Sequence, residues 1–150
     1  MAHLTGTAMY APTDDEVAAM RRYVEEGGVL LIDACGGSSL FNQSVTGVLA
    51  RAFGQEQMRA MGAEHPILAG SAAGMDSLPK VMLRPYAEQK LGKGAGRIEL
   101  MHVGKGWVIY SPLDLTTGLL GTNTWGIVGY RPGYAQSLVK NVMLWVGDGA

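Results

Sequence analysis

Between Val29 and Gly37 the chain reads VLLIDACGG: four apolar residues, then Asp33, Ala34 and the single cysteine, Cys35, then two glycines. An apolar run without polar alternation is the pattern of a strand covered on both faces, as in parallel sheets. The glycines predict a tight turn out of that strand. A well-marked helix precedes it. Thr13 predicts the N-cap, and Glu16 three residues on completes a capping box. Asp14 and Asp15 favour the positive end of the helix dipole. Val17, Met20 and Val24 form one stripe with Tyr23 beside it, and Gly27 predicts the stop.

The same reading extends outward. Ala2-His3-Leu4 predicts the end of a short strand leading into Thr5-Gly6-Thr7. After the central strand, Ser38 or Ser39 caps a second helix spaced by Phe41, Val45, Val48, Leu49 and Ala52 and ended by Gly54. Gln57 to Met61 is a short strand candidate. Residues 62–79 are turn-rich and predict a long surface loop with at most a short helical turn. Val81 to Tyr86 is expected to be extended, and Leu91 to Gly96 to be loop. Arg97 to Val103 and Trp107 to Ser111 predict two strands, and Gly104-Lys105-Gly106 between them is a hairpin signal. Leu113 to Arg131 reads as another long loop, carrying Asp114, Asn123 and Trp125. Loops of that length in compact domains are usually functional. A last helix starts near Pro132. Tyr134, Leu138, Val142 and Trp145 share a face, widened by Val139, Met143 and Val146, and Lys140 is its only charge.

The order predicts α/β architecture: a three-layer α/β/α sandwich, mostly parallel, with an antiparallel hairpin near the C-terminus. The expectation is one domain over residues 1–150. The start in mid-strand predicts an excised domain, or one without its first strand. An open sheet edge left there predicts self-association.

Composition narrows the function classes. The 150 residues are 47% hydrophobic and 17% charged, which marks a compact chain rather than a disordered one. With a net charge of -1 and Arg21-Arg22 as the only basic pair, nucleic acid is not an expected partner. No apolar run approaches the roughly 18 residues of a span, so direct membrane insertion is not expected. The first residues show no basic-then-apolar signal pattern. One cysteine cannot close an internal disulfide, which leaves the compartment open.

Candidate chemistry gathers at predicted strand ends, where open α/β sheets place their sites. Cys35 is a candidate nucleophile, since a helix N-terminus favours thiolate. Its other reading is a small buried hydrophobe. Asp33 ends an apolar strand and needs water, a cation or hydrogen-bond donors. It is a candidate ligand or general base, or else a carboxylate satisfied by amides of the Gly36-Gly37 turn. Gly36, Gly37, Ser38 and Ser39 offer amides to an anion without the spacing of a P-loop or dinucleotide fingerprint. No cofactor is predicted. Asp114, Thr5 and Thr7 follow strands in the same way. If those strands are parallel neighbours, Thr5, Asp33, Cys35 and Asp114 converge on one rim. His3, His65 and His102 lack metal-ligand spacing, so no metal is predicted. His65 precedes Pro66 in a loop and is a candidate base. His102 alternates with apolar neighbours and reads as a sheet residue.

Six pieces in order carry a resemblance: LTGT at residues 4–7, DDEV at 14–17, YVEEGG at 23–28, DACGG at 33–37, HPI at 65–67 and VIYSPLDL at 108–115. Together, from about His3 to Val146, they resemble the bacterial domain-of-unknown-function family 4159. The resemblance implies a class I glutamine amidotransferase-like, flavodoxin-like fold, shared with trehalose-utilisation-type proteins and the middle domain of some β-galactosidases. It does not imply amidotransferase activity. Amidotransferases place their nucleophile in a Gly-x-Cys-x-Gly elbow, and here residue 33 is Asp. Their late His and Glu have no counterparts, because no histidine follows Trp107 and the last helix has no acid before Asp148. Family members are often parts of larger exported or envelope-associated proteins, which implies that location and other domains or proteins of an assembly as partners.

Three functions follow. The first is a non-catalytic α/β module for binding or assembly, with the loop carrying Trp125 and Tyr130 as a contact surface. The second is a hydrolase or transferase using Cys35, with His65 as base and Asp33 or Asp114 orienting it. The third is a sugar or polyol binder at the Asp33/Asp114 rim, by fold analogy alone.

Overall fold

The computed structural model describes residues 1–54 and 58–149. Among the described residues it is mixed α/β, with five strands in one open mixed sheet and six α-helices. The strands are β1 (Ala2–Gly6), β2 (Val29–Ala34), β3 (Arg59–Ala60), β4 (Glu99–Val103) and β5 (Gly106–Ser111), in the spatial order β1-β2-β5-β4-β3. The helices are α1 (Asp14–Glu25), α2 (Ser39–Phe53), α3 (Pro66–Ala69), α4 (Pro85–Leu91), α5 (Thr116–Leu119) and α6 (Pro132–Gly147). A single 3-10 turn, Cys35–Gly37, joins β2 to α2. No helix among the described residues is long and apolar enough to cross a membrane.

The centre of the sheet is β2, parallel to both β1 and β5. Thr5 stands opposite Asp33, and Asp33 opposite Ser111. β4 runs antiparallel to β5, and β3 antiparallel to β4. Side chains alternate across a strand, which explains why β2 shows no polar alternation. Leu31 and Val29 join Ile109 in a cluster with Tyr134, Leu138 and Val142 of α6. Leu30 and Ile32 join Val108 and Tyr110 in a second cluster with Val24 of α1 and Phe41, Val45 and Leu49 of α2. Every residue of β2 is buried, so each one must be apolar or have internal partners.

Local signals set the helix ends. The Thr13 amide donates to Glu16 Oε2 at 2.7 Å, and the Glu16 amide donates to Thr13 Oγ1 at 3.3 Å, which completes the capping box. Ser38 Oγ caps α2 by accepting from the Phe41 amide. Gly106 begins β5 where a Cβ would lie 2.2 Å from the carbonyl oxygens of both Gly28 and Val24. Only glycine lets the chain pass so close to the end of α1.

Several segments depart from the sequence reading. β1 runs on to Gly6, so Thr5 lies within the strand rather than after it. The extended segment expected over Val81 to Tyr86 stops at Arg84. Leu83 bridges Tyr130, and Pro85 then opens α4. Proline suits the first helical position because its missing N–H has no helical partner there, and it holds the preceding residue extended. The long loop from Leu113 to Arg131 contains α5 and is pinned by a parallel bridge between Asp114 and Gly129. Of the strand expected over Gln57 to Met61, only Arg59–Ala60 is strand, and Gln57 lies outside the described residues.

Candidate functional site

The carboxyl ends of β1, β2 and β5 form one rim, built around two acids that are completely buried: Asp33 and Asp114. Asp33 ends the polar-free run of β2. Its Oδ2 accepts from the backbone amides of Leu115 at 2.8 Å and Thr116 at 2.9 Å. Its Oδ1 accepts from His3 Nε2 at 2.7 Å and Thr116 Oγ1 at 3.0 Å. Thr116 Oγ1 also lies 2.9 Å from Thr5 Oγ1, which ties β1 to the same group. Burial by itself pushes the Asp33 carboxyl up. The hydrogen bonds from His3, Leu115, Thr116 and Thr5 outweigh it and hold the group below its ordinary value. Asp33 is thus an anion held by the loop that follows β5.

Asp114 mirrors it from the other side. Its Oδ1 accepts from the Gly36 amide at 2.8 Å and the Thr117 amide at 3.2 Å, and Oδ2 accepts from Thr117 Oγ1. Each acid therefore serves the other's chain segment: Asp33 holds the Leu115-Thr116 turn, and Asp114 holds the turn after Asp33. The expectation that Asp33 takes its amides from Gly36 and Gly37 is corrected here. The Gly36 amide points to Asp114, and the left-handed φ of +69° at Gly36 then turns the chain that follows away from β2. At Gly37, φ is +77° and a Cβ would lie 2.5 Å from Val128, so the turn packs against the Val128 strap.

The remaining rim residues are placed around this pair. Cys35 is half-buried beside both acids. Burial first, then the negative charges of Asp114 and Asp33, push its thiol up. That is the opposite of an activated thiolate. Thr7 contributes its carbonyl, which accepts from Ser38 Oγ at 2.7 Å. Ser38 is thereby committed to Thr7 and to capping α2. A family model described as a domain of unknown function, DUF4159, matches residues 1–123, a stretch holding β1 to β5 and every rim residue named above. The chain belongs to the DUF4159 family. Comparison with curated proteins finds no match.

In this DUF4159 chain His65 is not part of the rim. It N-caps α3, where Nδ1 accepts from the Ile67 amide at 3.3 Å. Its ring packs edge-on to Trp145 at 5.3 Å, and Trp145 packs on Trp107 at 5.3 Å. Trp107 pairs with Val29, at the amino end of β2. Cys35 lies just past the carboxyl end, six residues along, which is about 20 Å at the rise of a strand. The expected Cys35–His65 pairing is therefore corrected: the two lie at opposite ends of the sheet. His102 stays on β4, exposed, with its ring against Trp107 at 4.4 Å. No group of three or more His, Cys, Asp or Glu side chains among the described residues is arranged to hold a metal.

Four participants were not assigned to the rim from sequence: His3, Thr116, Thr117 and Arg84. His3 reaches Asp33 because it lies two residues before Thr5 on the same face of β1. The i, i+2 spacing was the available signal. Thr116 and Thr117 head α5, a helix too short to show periodicity. Arg84, only 5% exposed, donates to the Tyr130 carbonyl at 3.1 Å, the Thr122 carbonyl at 2.7 Å and Thr117 Oγ1 at 3.2 Å. Thr117 thus links the buried guanidinium to the buried Asp114 carboxylate. An arginine inside the apolar run VMLRPY was the signal for it.

Proposed function

We propose that the DUF4159 domain is a non-catalytic module for binding or assembly within a larger bacterial protein, built on an amidotransferase-like three-layer sandwich. The observation that carries the reading is the use made of Asp33 and Asp114. The two strand-end carboxylates, the best-placed groups for acid–base work, are fully buried and bonded to backbone amides: Asp33 to Leu115 and Thr116 of the opposing loop, Asp114 to Gly36 of the opposing turn and Thr117 of its own loop. A general base must reach a substrate proton directly or through one water, and both carboxyl groups are shut off from the surface with every oxygen already accepting a hydrogen bond. The raised thiol of Cys35 and the distance to His65 speak against the Cys35-dependent hydrolase or transferase. Two helices on one face of β1, β2 and β5 and α6 on the other support the sandwich. A single domain over residues 1–150 is part of the same proposal.

Assembly is supported by β1. Its Ala2, His3 and Thr5 are exposed, and among the described residues it pairs only with β2. An unpaired edge is a template for another strand, and a second copy of this chain is the expected occupant. Two measurements test the module. Iodoacetamide at pH 6 should label Cys35 no faster than a free thiol; labelling far faster than that overturns the non-catalytic reading. Light scattering should give a mass above one chain at micromolar concentration, and a clean monomer removes the self-association.

A further inference from the structure

We propose that a cavity between the start of α4, the start of α6 and the Trp125 loop binds a small ring-bearing carboxylate, stacked on Trp125 and paired with Arg131. The cavity measures about 380 Å³, within the range of small-molecule sites. That is room enough for a six-membered ring with its substituents. The proposal rests on the reading of the domain as a binding module and names the chemistry of its ligand. The cavity lies beside the Asp33/Asp114 rim, joined to it through Arg84 and Thr117.

Three observations converge on that ligand. The first is charge. Arg84 and Arg131 both line the cavity, and no acid does. Arg84 is buried, and its three hydrogen bonds occupy three of the five guanidinium N–H groups. Arg131 donates Nε–H to the Leu83 carbonyl at 2.9 Å, which fixes the base of its fork. Its Nη2 makes an ion pair with the Glu88 carboxylate at 3.7 Å, beyond hydrogen-bond distance, so its outer N–H groups still have donors to offer. No acid lines the wall itself, so the outer N–H groups of Arg131 are the donors open to an anion, and a fork held at Nε suits a carboxylate.

The second is an aromatic wall. Trp125 is 71% exposed, yet its ring is placed edge-on to Tyr86 with centroids 5.4 Å apart. Tyr86 braces the indole, both rings line the cavity, and most of the Trp125 surface stays open to a partner. A large aromatic held this way offers a flat platform to a ring-shaped partner. The third is the polar edge. Asn123 and Thr124 line the same cavity and supply donors and acceptors beside the platform. An apolar face, a carboxylate and a polar rim describe either a hexuronate or an aromatic carboxylate, and both share the recognised chemistry.

The test is a titration of the full 150-residue chain, labelled with ¹⁵N, followed through its three tryptophan indole N–H signals. Sodium glucuronate and sodium benzoate are the two probes, with glucose and sodium acetate as controls. The expected result is a saturable shift of the Trp125 signal, identified by its loss in Trp125→Phe, with at least one probe. Trp107 and Trp145 should stay in place. Whichever probe binds more tightly identifies the source of the ring. Acetate should bind at least tenfold more weakly than the better probe. Arg131→Gln should weaken binding about tenfold or more, as loss of a charged hydrogen bond does. Arg131→Lys, which keeps the charge and the helix start, should fall between. No shift by either probe at millimolar concentration overturns the proposal. So does glucose binding as tightly as glucuronate together with no binding of benzoate, or an unchanged affinity in Arg131→Gln. A failed titration with an unreactive Cys35 removes only this ligand. A fast-reacting Cys35 removes the module reading whatever the titration gives.

Discussion

Replacing Asp33 by alanine tests whether the rim is held together by a buried carboxylate. The side chain accepts four hydrogen bonds: two from backbone amides of the Leu115-Thr116 turn, one from His3 and one from the Thr116 hydroxyl. His3 is 29% exposed and can turn to water, and the Thr116 hydroxyl can rotate. The two amides have no such freedom. A hydrogen bond to a charged group contributes about 1.5–3 kcal/mol net, so losing both costs about 3–6 kcal/mol. Water entering the space left by the carboxylate offsets part of this, which leaves about 3 kcal/mol. For a chain of this size that lowers Tm by about 6–12 °C. Asp33→Asn should cost less, about 1 kcal/mol. Its oxygen can still face the two amides, while its NH₂ faces His3 and the Thr116 hydroxyl, both able to accept.

Urea unfolding followed by tryptophan fluorescence and circular dichroism measures both variants. The pH dependence has a definite sign. The folded-state value of Asp33 lies below its unfolded value of about 3.9. Its contribution is therefore complete above that value and fades as pH falls through the lower, folded value. The gap between wild type and Asp33→Asn should be constant from pH 5 to 7 and shrink below about pH 4. An Asp33→Ala variant within about 0.5 kcal/mol of wild type refutes the argument. Equal losses for Asn and Ala would show that charge, rather than acceptor geometry, holds the turn.

Two glycines should respond in opposite directions to alanine. Gly106→Ala places a methyl 2.2 Å from two backbone carbonyl oxygens and should cost about 2–4 kcal/mol in urea unfolding. Gly47→Ala, inside α2 with open space around it, should stabilise by about 0.5–1 kcal/mol. A neutral Gly106→Ala would mean that β5 and the end of α1 separate easily. Asn141 is fully buried in α6 and bonds the Ile67 carbonyl at 2.7 Å, the Asp76 carbonyl at 2.7 Å and the Asp76 amide at 2.9 Å. Asn141→Leu should destabilise by about 2–4 kcal/mol and speed hydrogen exchange at the Asp76 amide. Unchanged exchange there would show that the segment is held by something other than Asn141.

What the sequence determined here is what depends on neighbours a few residues away. Caps, apolar periodicity and glycine stops marked α1, β2, α2 and the start of α6, because each forms from contacts within one or two turns. The unbroken run in β2 also announced burial on both faces. α4 and α5 escaped notice, since seven and four residues are too short to show a period. Tertiary structure alone decided the rim. Asp33 finds its amides 82 and 83 residues away, and Gly36 finds Asp114 at a separation of 78. Nothing local selects those partners; the parallel neighbours β1, β2 and β5 bring them to one end of the sheet. The same packing carried His65 to the other end and closed four hydrogen bonds around the Asp33 carboxylate. It also gathered Arg84, Tyr86, Trp125 and Arg131 around one cavity, which sequence spacing could not show because they meet through folding rather than through any repeat.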